Sequence, residues 1–170
     1  MHNSKQQAER RLRGENFQEE IRRSWRLIPN CWRLRITDGV NRTGARPGDD
    51  LILLEHINIL CEEKRAADDR FTWSLLRPDQ RKGLREFEAA LQRNRGLVFI
   101  SFLYDTVDEA YAFRLVDAAE FMGKHGRQYI TLAEFQQQKI TCVPLPLITL
   151  EDRGEMVRAY DLKGVQECYK

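Results

Sequence analysis

The stretch Gly48–Lys64, GDDLILLEHINILCEEK, decides how this chain is read. Two short apolar runs, Leu51–Leu54 and Ile57–Cys61, are separated only by Glu55 and His56, close enough to form an antiparallel hairpin. Side chains alternate along a strand, so Glu62 and Lys64 share one face and Glu63 points to the other. A hairpin centred on His56 sets Asp50 directly across from Glu62, with Cβ atoms about 5 Å apart. Carboxylates crowded in this way repel one another unless a cation lies between them. Magnesium suits such a pair because it takes few carboxylates and keeps several waters, one of which it can turn into a nucleophile. Lys64 is then placed to orient that water or to stabilise charge developing on a phosphate. A D…ExK spacing is too short to decide the matter alone, since the same residues also make ordinary surface ion pairs. Their context favours chemistry: Asp50 opens an apolar strand after a glycine, and Glu62 closes another.

Working outward, residues from about Gln6 to Leu27 read as a helix, with Phe17, Ile21, Trp25 and Ile28 at helical spacing and Pro29 ending the run. Cys31–Ile36 alternates Trp32, Leu34 and Ile36 with Arg33 and Arg35, as a half-buried strand does. Asp38–Gly48, rich in glycine, predicts a loop. Pro78 is suited to a first helical position. From there Leu84, Phe87 and Leu91 mark a buried face, with Gly96 as a stop signal. Gln80 falls on that same stripe, and an inward glutamine needs hydrogen-bond partners, which Lys64 or a metal-bound water would supply. Leu97–Leu103 predicts an interior strand with Ala110–Val116 as its hairpin partner, and Thr131 with Glu134 has capping-box spacing for a helix over Leu132–Gln138. These elements predict an α/β fold, a mixed central sheet flanked by helices. Residues beyond Thr141 are punctuated by proline and yield little. The histidines lack metal-ligand spacing, and Trp25, Trp32 and Trp73 read as core or rim packing.

The chain has 170 residues and a formal net charge of +2. That length suits one compact domain. We expect residues 1–13 to be a basic tail or helix extension and 14–170 to be a single domain. The balance conceals an asymmetry: residues 1–48 hold 11 Lys and Arg against 5 Asp and Glu. Arg13, Arg22, Arg23, Arg26, Arg42 and Arg46, with Arg65 beside the acidic motif, are the cations expected to meet nucleic-acid phosphates. Cys31, Cys61, Cys142 and Cys168 are too scattered for a zinc site and are expected to be reduced thiols. No apolar run has the length of a membrane span, and the cytoplasm is the expected address.

Taken together, Arg13-Gly14 through Phe17 and Ile21, Gly48-Asp49-Asp50, Glu62-Glu63-Lys64, Pro78-Asp79-Gln80 and Gly96-Leu97-Val98-Phe99-Ile100 resemble the RecU-type Holliday-junction resolvases, phage-borne relatives most of all. These belong to the PD-(D/E)xK nuclease superfamily. The likeness covers about residues 10 to 140 and lies in the order and spacing of the motifs. It implies a restriction-endonuclease-like fold, magnesium-dependent cleavage of DNA (with manganese as the alternative), a role in recombination or repair, and a homodimer acting on branched DNA. It further implies that Asp50 and Glu62 are metal ligands, Lys64 the catalytic lysine and Gln80 its support. The chain departs from the pattern at Gln18, where the family usually offers a glutamate. A helix turns about 100° per residue, so Gln18 flanks the stripe through Phe17 and Ile21 while Glu19 points away, which makes Gln18 the expected third contact, as a weak metal ligand or a partner for a metal-bound water, with Glu19 after a small rotation as the alternative. The segment before Asp50 is also short for the stalk of cellular resolvases. Two other readings are a DNA-binding protein that keeps this scaffold without cleavage, and an assembly protein with no nucleic-acid partner.

Overall fold

Phe17, Ile21 and Trp25 are at most 2% exposed and seat the first helix, α1 (His2–Trp25), on one face of a sheet. Burying an apolar side chain of this kind contributes about 1.5–3 kcal/mol. The structure is a computed structural model that describes residues 2–37 and 46–169, with the side chains of residues 2–11 and 13 not included. The Arg13 side chain, Arg42 and most of the expected loop over Asp38–Gly48 lie outside the described residues.

After α1 come β1 (Trp32–Arg35), β2 (Asp50–Leu53), β3 (Asn58–Ala66), β4 (Arg70–Thr72), a single 3-10 turn (Trp73–Leu75) and α2 (Pro78–Ala90). They are followed by β5 (Asn94–Tyr104), β6 (Val107–Arg114), α3 (Leu115–Lys124), β7 (Tyr129–Thr131) and α4 (Leu132–Gln136). The chain finishes with β8 (Cys142–Pro144), β9 (Leu147–Asp152), β10 (Glu155–Tyr160) and α5 (Lys163–Cys168). Among the described residues, one six-stranded sheet runs in the order β1-β2-β3-β5-β6-β8. Its neighbours are antiparallel except β3 and β5, which the α2 crossover makes parallel. The mixed sheet flanked by helices is the architecture expected from the sequence.

Alternation along β3, β5 and β6 divides the core in two. Ile59, Cys61, Leu97, Phe99, Ala110 and Ala112 meet α1 and the C-terminal segment, whereas Leu60, Val98, Ile100, Tyr111 and Phe113 meet α2, α3 and α4. Both faces of the central strands are therefore buried, and their runs read as continuously apolar.

Several expectations are corrected. On β1 the apolar side is the exposed one: Trp32 is 52% and Leu34 49% exposed, because no described helix covers that face of the β1–β2 edge, while Arg33 turns inward to Asp50. Leu91 is exposed past the end of α2. Gly96 is not a stop signal but lies inside β5, where a Cβ would come within 2.4 Å of the Leu84 carbonyl oxygen; the glycine lets α2 lie against the strand. The Thr131–Glu134 capping box is present, with the Thr131 amide donating to Glu134 Oε2 at 2.9 Å. The region beyond Thr141 holds the β9–β10 hairpin, which docks on α1 through a Tyr160 amide bond to Ser24 Oγ of 2.7 Å. All four cysteines are free thiols, and among the described residues no helix is long and apolar enough to cross a membrane.

Because the atom nearest a new methyl at Gly96 is backbone, it cannot rotate aside. Gly96→Ala is expected to lower unfolding free energy by about 1–3 kcal/mol, measured by urea denaturation. An unchanged midpoint would mean that α2 is free to shift.

Candidate active site

The hairpin between β2 and β3 has a two-residue turn, Glu55 and His56, closed by the Leu54 amide bonding to the Ile57 carbonyl at 3.0 Å. A two-residue turn puts the symmetry point between residues 55 and 56 rather than on His56. The register follows: Asp50 pairs with Cys61, Leu51 with Leu60 and Ile52 with Ile59. The expected pairing of Asp50 with Glu62 is thus off by one, and in a strand one residue is a change of face. Asp50 faces the α1 side with Cys61, and its carboxylate takes Arg33 Nη1 at 3.0 and 3.1 Å. Asp49 is the acid brought to Glu62.

Asp49 sits where β2 leaves β3. Its amide donates to the Cys61 carbonyl at 2.7 Å and its carbonyl accepts from the Ile36 amide at 2.8 Å. Beyond Cys61, β3 continues without a described strand on this side. The Glu63 amide donates instead to Asp49 Oδ2 at 2.8 Å, while Arg46 binds Asp49 Oδ1. The loop holding Asp49 is clamped from both sides, since a Cβ on Gly48 would meet the Cys61 carbonyl oxygen at 2.8 Å and one on Gly83 of α2 would meet Pro47 at 2.4 Å.

Glu62 and Lys64 project to the α2 side, and the alternation that separates them from Glu63 holds. The Glu62 side chain is fully buried, and its Oε1 receives Lys64 Nζ at 2.5 Å and Gln80 Nε2. Gln80 is itself fixed, accepting the Arg77 amide on Oε1 at 2.9 Å. Glu62 Oε2 is buried with no hydrogen-bond partner. Burial first, and then the Asp49 charge, push the Glu62 carboxyl up from the ordinary 4.5 to about 7, against the opposing pull of Lys64 and Arg46. Asp49, Glu62, Lys64, Gln80, Gln18, Arg46 and Arg77 line one open cleft. Larger hollows, at Pro29 and Asn30 with Leu54 to Ile57 and Gln166, at Arg65 to Leu75, and at Asp117 to Lys124 with Lys139, do not bring buried carboxylates together with a lysine and a glutamine in this way.

Gln18 lines the cleft, whereas Glu19 lies outside it and pairs with Arg22 at 3.1 Å and Arg23 at 3.6 Å. Glu63, on the opposite face, is buried; burial and then the Asp49, Asp50 and Glu62 charges raise its carboxyl well above the ordinary range. Asp50 is raised by burial, with Arg33 pulling against it. Among the described residues no group of three or more His, Cys, Asp and Glu is poised as a metal cluster. The donors that could hold a cation here are two carboxylates, Asp49 and Glu62, with the Gln18 amide nearby. That set fits magnesium, which takes one or two carboxylates and completes its shell with water and substrate phosphate. The orphaned Glu62 oxygen is the observation that fits a cation best.

The expected DNA contacts fare unevenly. Arg22 lines a narrow cleft with Asp50 and Glu63, Arg23 and Arg26 lie beside Asp152, and Arg46 is bound to Asp49. Arg65 is corrected: its side chain is 4% exposed and bonds to Glu20 at 2.6 Å, so it does not face a phosphate. Asp49 and Arg77 were missed. The even length of the Glu55–His56 turn could have identified Asp49, whereas nothing in the sequence marks Arg77.

Comparison with solved structures finds a likeness to Hjc, a Holliday junction resolvase from the archaeal hyperthermophile Archaeoglobus fulgidus, at 11% sequence identity and a TM-score of 0.49. It covers 73% of this chain and 93% of that one. The likeness is one of fold and lends no residue a role. No protein-family model and no curated protein matches the chain.

The raised Glu62 carboxyl has a stability consequence in metal-free buffer. With a folded value of about 7 against 4.5, wild-type stability from this group is complete below pH 4.5 and is lost as pH rises through about 7. Glu62→Gln removes that loss. Its stability relative to wild type is expected to improve by about 3 kcal/mol between pH 4.5 and pH 8, read from denaturation midpoints with chelator present. A pH-independent difference would contradict the burial argument.

Proposed function

We propose that this chain is a magnesium-dependent endonuclease that hydrolyses DNA phosphodiester bonds, with four-way or other branched DNA as substrate, in recombination or repair. The observation that carries the reading is the meeting of Asp49, Glu62 and Lys64 at the point where β2 leaves β3, with one Glu62 oxygen buried and unpartnered. When bound, magnesium supplies a Lewis acid that activates water and offsets charge on the phosphate. Asp49 and Glu62 are the residues that would hold it, and Gln80 fixes the Glu62 carboxylate for that task. Lys64, set by its bond to Glu62, orients the attacking water or stabilises the negative charge that builds on the phosphate. Gln18 offers a neutral carbonyl oxygen, a weaker partner for a hard cation than a carboxylate. Asp50, on the other side of the hairpin with Arg33, supports the strand end in this reading rather than holding metal. The ordered likeness to RecU-type resolvases, with the homodimer it implies, belongs to the same proposal. The second reading, a DNA-binding protein without efficient cleavage, is favoured by Gln18 alone.

The test is incubation with labelled linear, single-stranded, forked and four-way DNA, with and without magnesium. Wild type is expected to nick branched DNA only with the metal. Asp49→Asn and Glu62→Gln should each slow cleavage by about 100-fold or more while DNA binding survives, as loss of a ligand charge weakens metal and activity together. Asp50→Asn should keep metal-dependent cleavage. Normal cleavage by Asp49→Asn alongside an inactive, folded Asp50→Asn would reverse the assignment.

A further inference from the structure

Two of the three cations in the cleft are committed to its acids: Lys64 to Glu62, and Arg46 to Asp49 and the Gly48 carbonyl. The third is Arg77. Its side chain is 54% exposed, and the carboxylate beside it, Asp79, is 3.5 Å from Nε, long for a hydrogen bond. Its backbone is held firmly. The Arg77 amide donates to Gln80 Oε1 at 2.9 Å, and the same Gln80 donates to Glu62 Oε1. The guanidinium is thereby tethered close to the acids while its donors are open to solvent. Asp79 also accepts from the Arg46 amide at 3.3 Å, which ties the start of α2 to the loop carrying Asp49. One turn along α2, on the same helical face, Arg81 lies over the Trp73 ring at 5.2 Å from its centroid.

An arginine presents a planar fork of donors that matches two phosphate oxygens at once. We propose that Arg77, continued along α2 by Arg81, grips the DNA backbone phosphates next to the scissile one and so holds the strand in register with Asp49 and Glu62. This rests on the nuclease reading above and adds the residues that seat its substrate. The grip reads phosphate and not base, so it acts on every DNA sequence alike. Arg77→Ala keeps the backbone N–H on which Gln80 depends, and the carboxylates stay in place.

The experiment is a salt titration of binding to labelled duplex and four-way DNA without metal, together with steady-state cleavage in magnesium. Arg77→Ala is expected to weaken binding by about 10-fold or more. It should also flatten the slope of log affinity against log salt by about one phosphate contact. KM should rise while kcat stays within about two-fold, since the contact is made equally in ground and transition states. Arg77→Lys should recover the slope, and Arg81→Ala should flatten it further in combination. If wild type binds and cleaves but Arg77→Ala matches it in slope and KM, the inference falls and the nuclease reading stands. A kcat loss at unchanged KM and slope overturns the inference as well. If wild type binds none of these DNAs, both fall.

Discussion

The bond from the Glu63 amide to Asp49 Oδ2 holds the candidate site together, because it stands where a neighbouring strand would otherwise be. A buried strand amide must find an acceptor, and here β2 has already turned away. The Asp49 carboxylate supplies the acceptor and is thereby drawn to the strand edge beside Glu62. Arg46 occupies its other oxygen, and Pro47 and Gly48 leave no slack between α2 and β3. A carboxylate has about four lone-pair sites, so two hydrogen bonds still leave capacity for a cation. The same contact thus ends the hairpin and orients one of the acids of the cleft.

The α1 side of the sheet depends on a buried ion network. Glu20 accepts from Arg65 at 2.6 Å and from the Tyr160 hydroxyl at 3.3 Å, and Arg158 lies 3.3 Å from its other oxygen. Ser24 Oγ donates to the Glu20 carbonyl at 2.7 Å while accepting the Tyr160 amide. Removing one partner from a buried pair costs about 3–5 kcal/mol, because the other charge stays out of water. The network joins α1, β3 and the C-terminal hairpin. Gln18 lines the cleft because α1 is fixed in rotation by Glu20 on one flank and Phe17 and Ile21 beneath.

What could be read from the sequence were features with a period. The stripe Phe17, Ile21, Trp25 located α1, the apolar run from Leu97 located β5, and alternation put Glu62 and Lys64 on one face. Register is a different kind of information. It depends on where a turn closes, and moving the closing point by half a residue exchanged Asp50 for Asp49. Burial of the β1 edge was not legible, because alternation identifies two faces without saying which one a helix will cover. Trp32 and Leu34 were left on the open face. The C-terminal hairpin carried little signal, since Leu147, Thr149 and Glu151 are exposed along β9 and its other residues only half-buried.

Charge counted by segment does not say what each cation meets, and the described arginines show the physical reason. Several of the described arginines of the first 48 residues find carboxylates within the fold: Arg33 meets Asp50, Arg46 meets Asp49, and Arg23 and Arg26 lie beside Asp152. Arg22, whose charge opposes the rise of both Asp50 and Glu63, serves the same internal balance. Four adjacent acids, two on each face of the hairpin, need this many cations around them, and burial favours the neutral forms of Asp50, Glu62 and Glu63. A cation spent on such an acid loses much of its pull on a phosphate outside, because the pair presents little net field at a distance. If the cleft takes a polyanion as proposed, the described arginine left to attract it there is the more exposed of the two lining it, Arg77, at the start of α2.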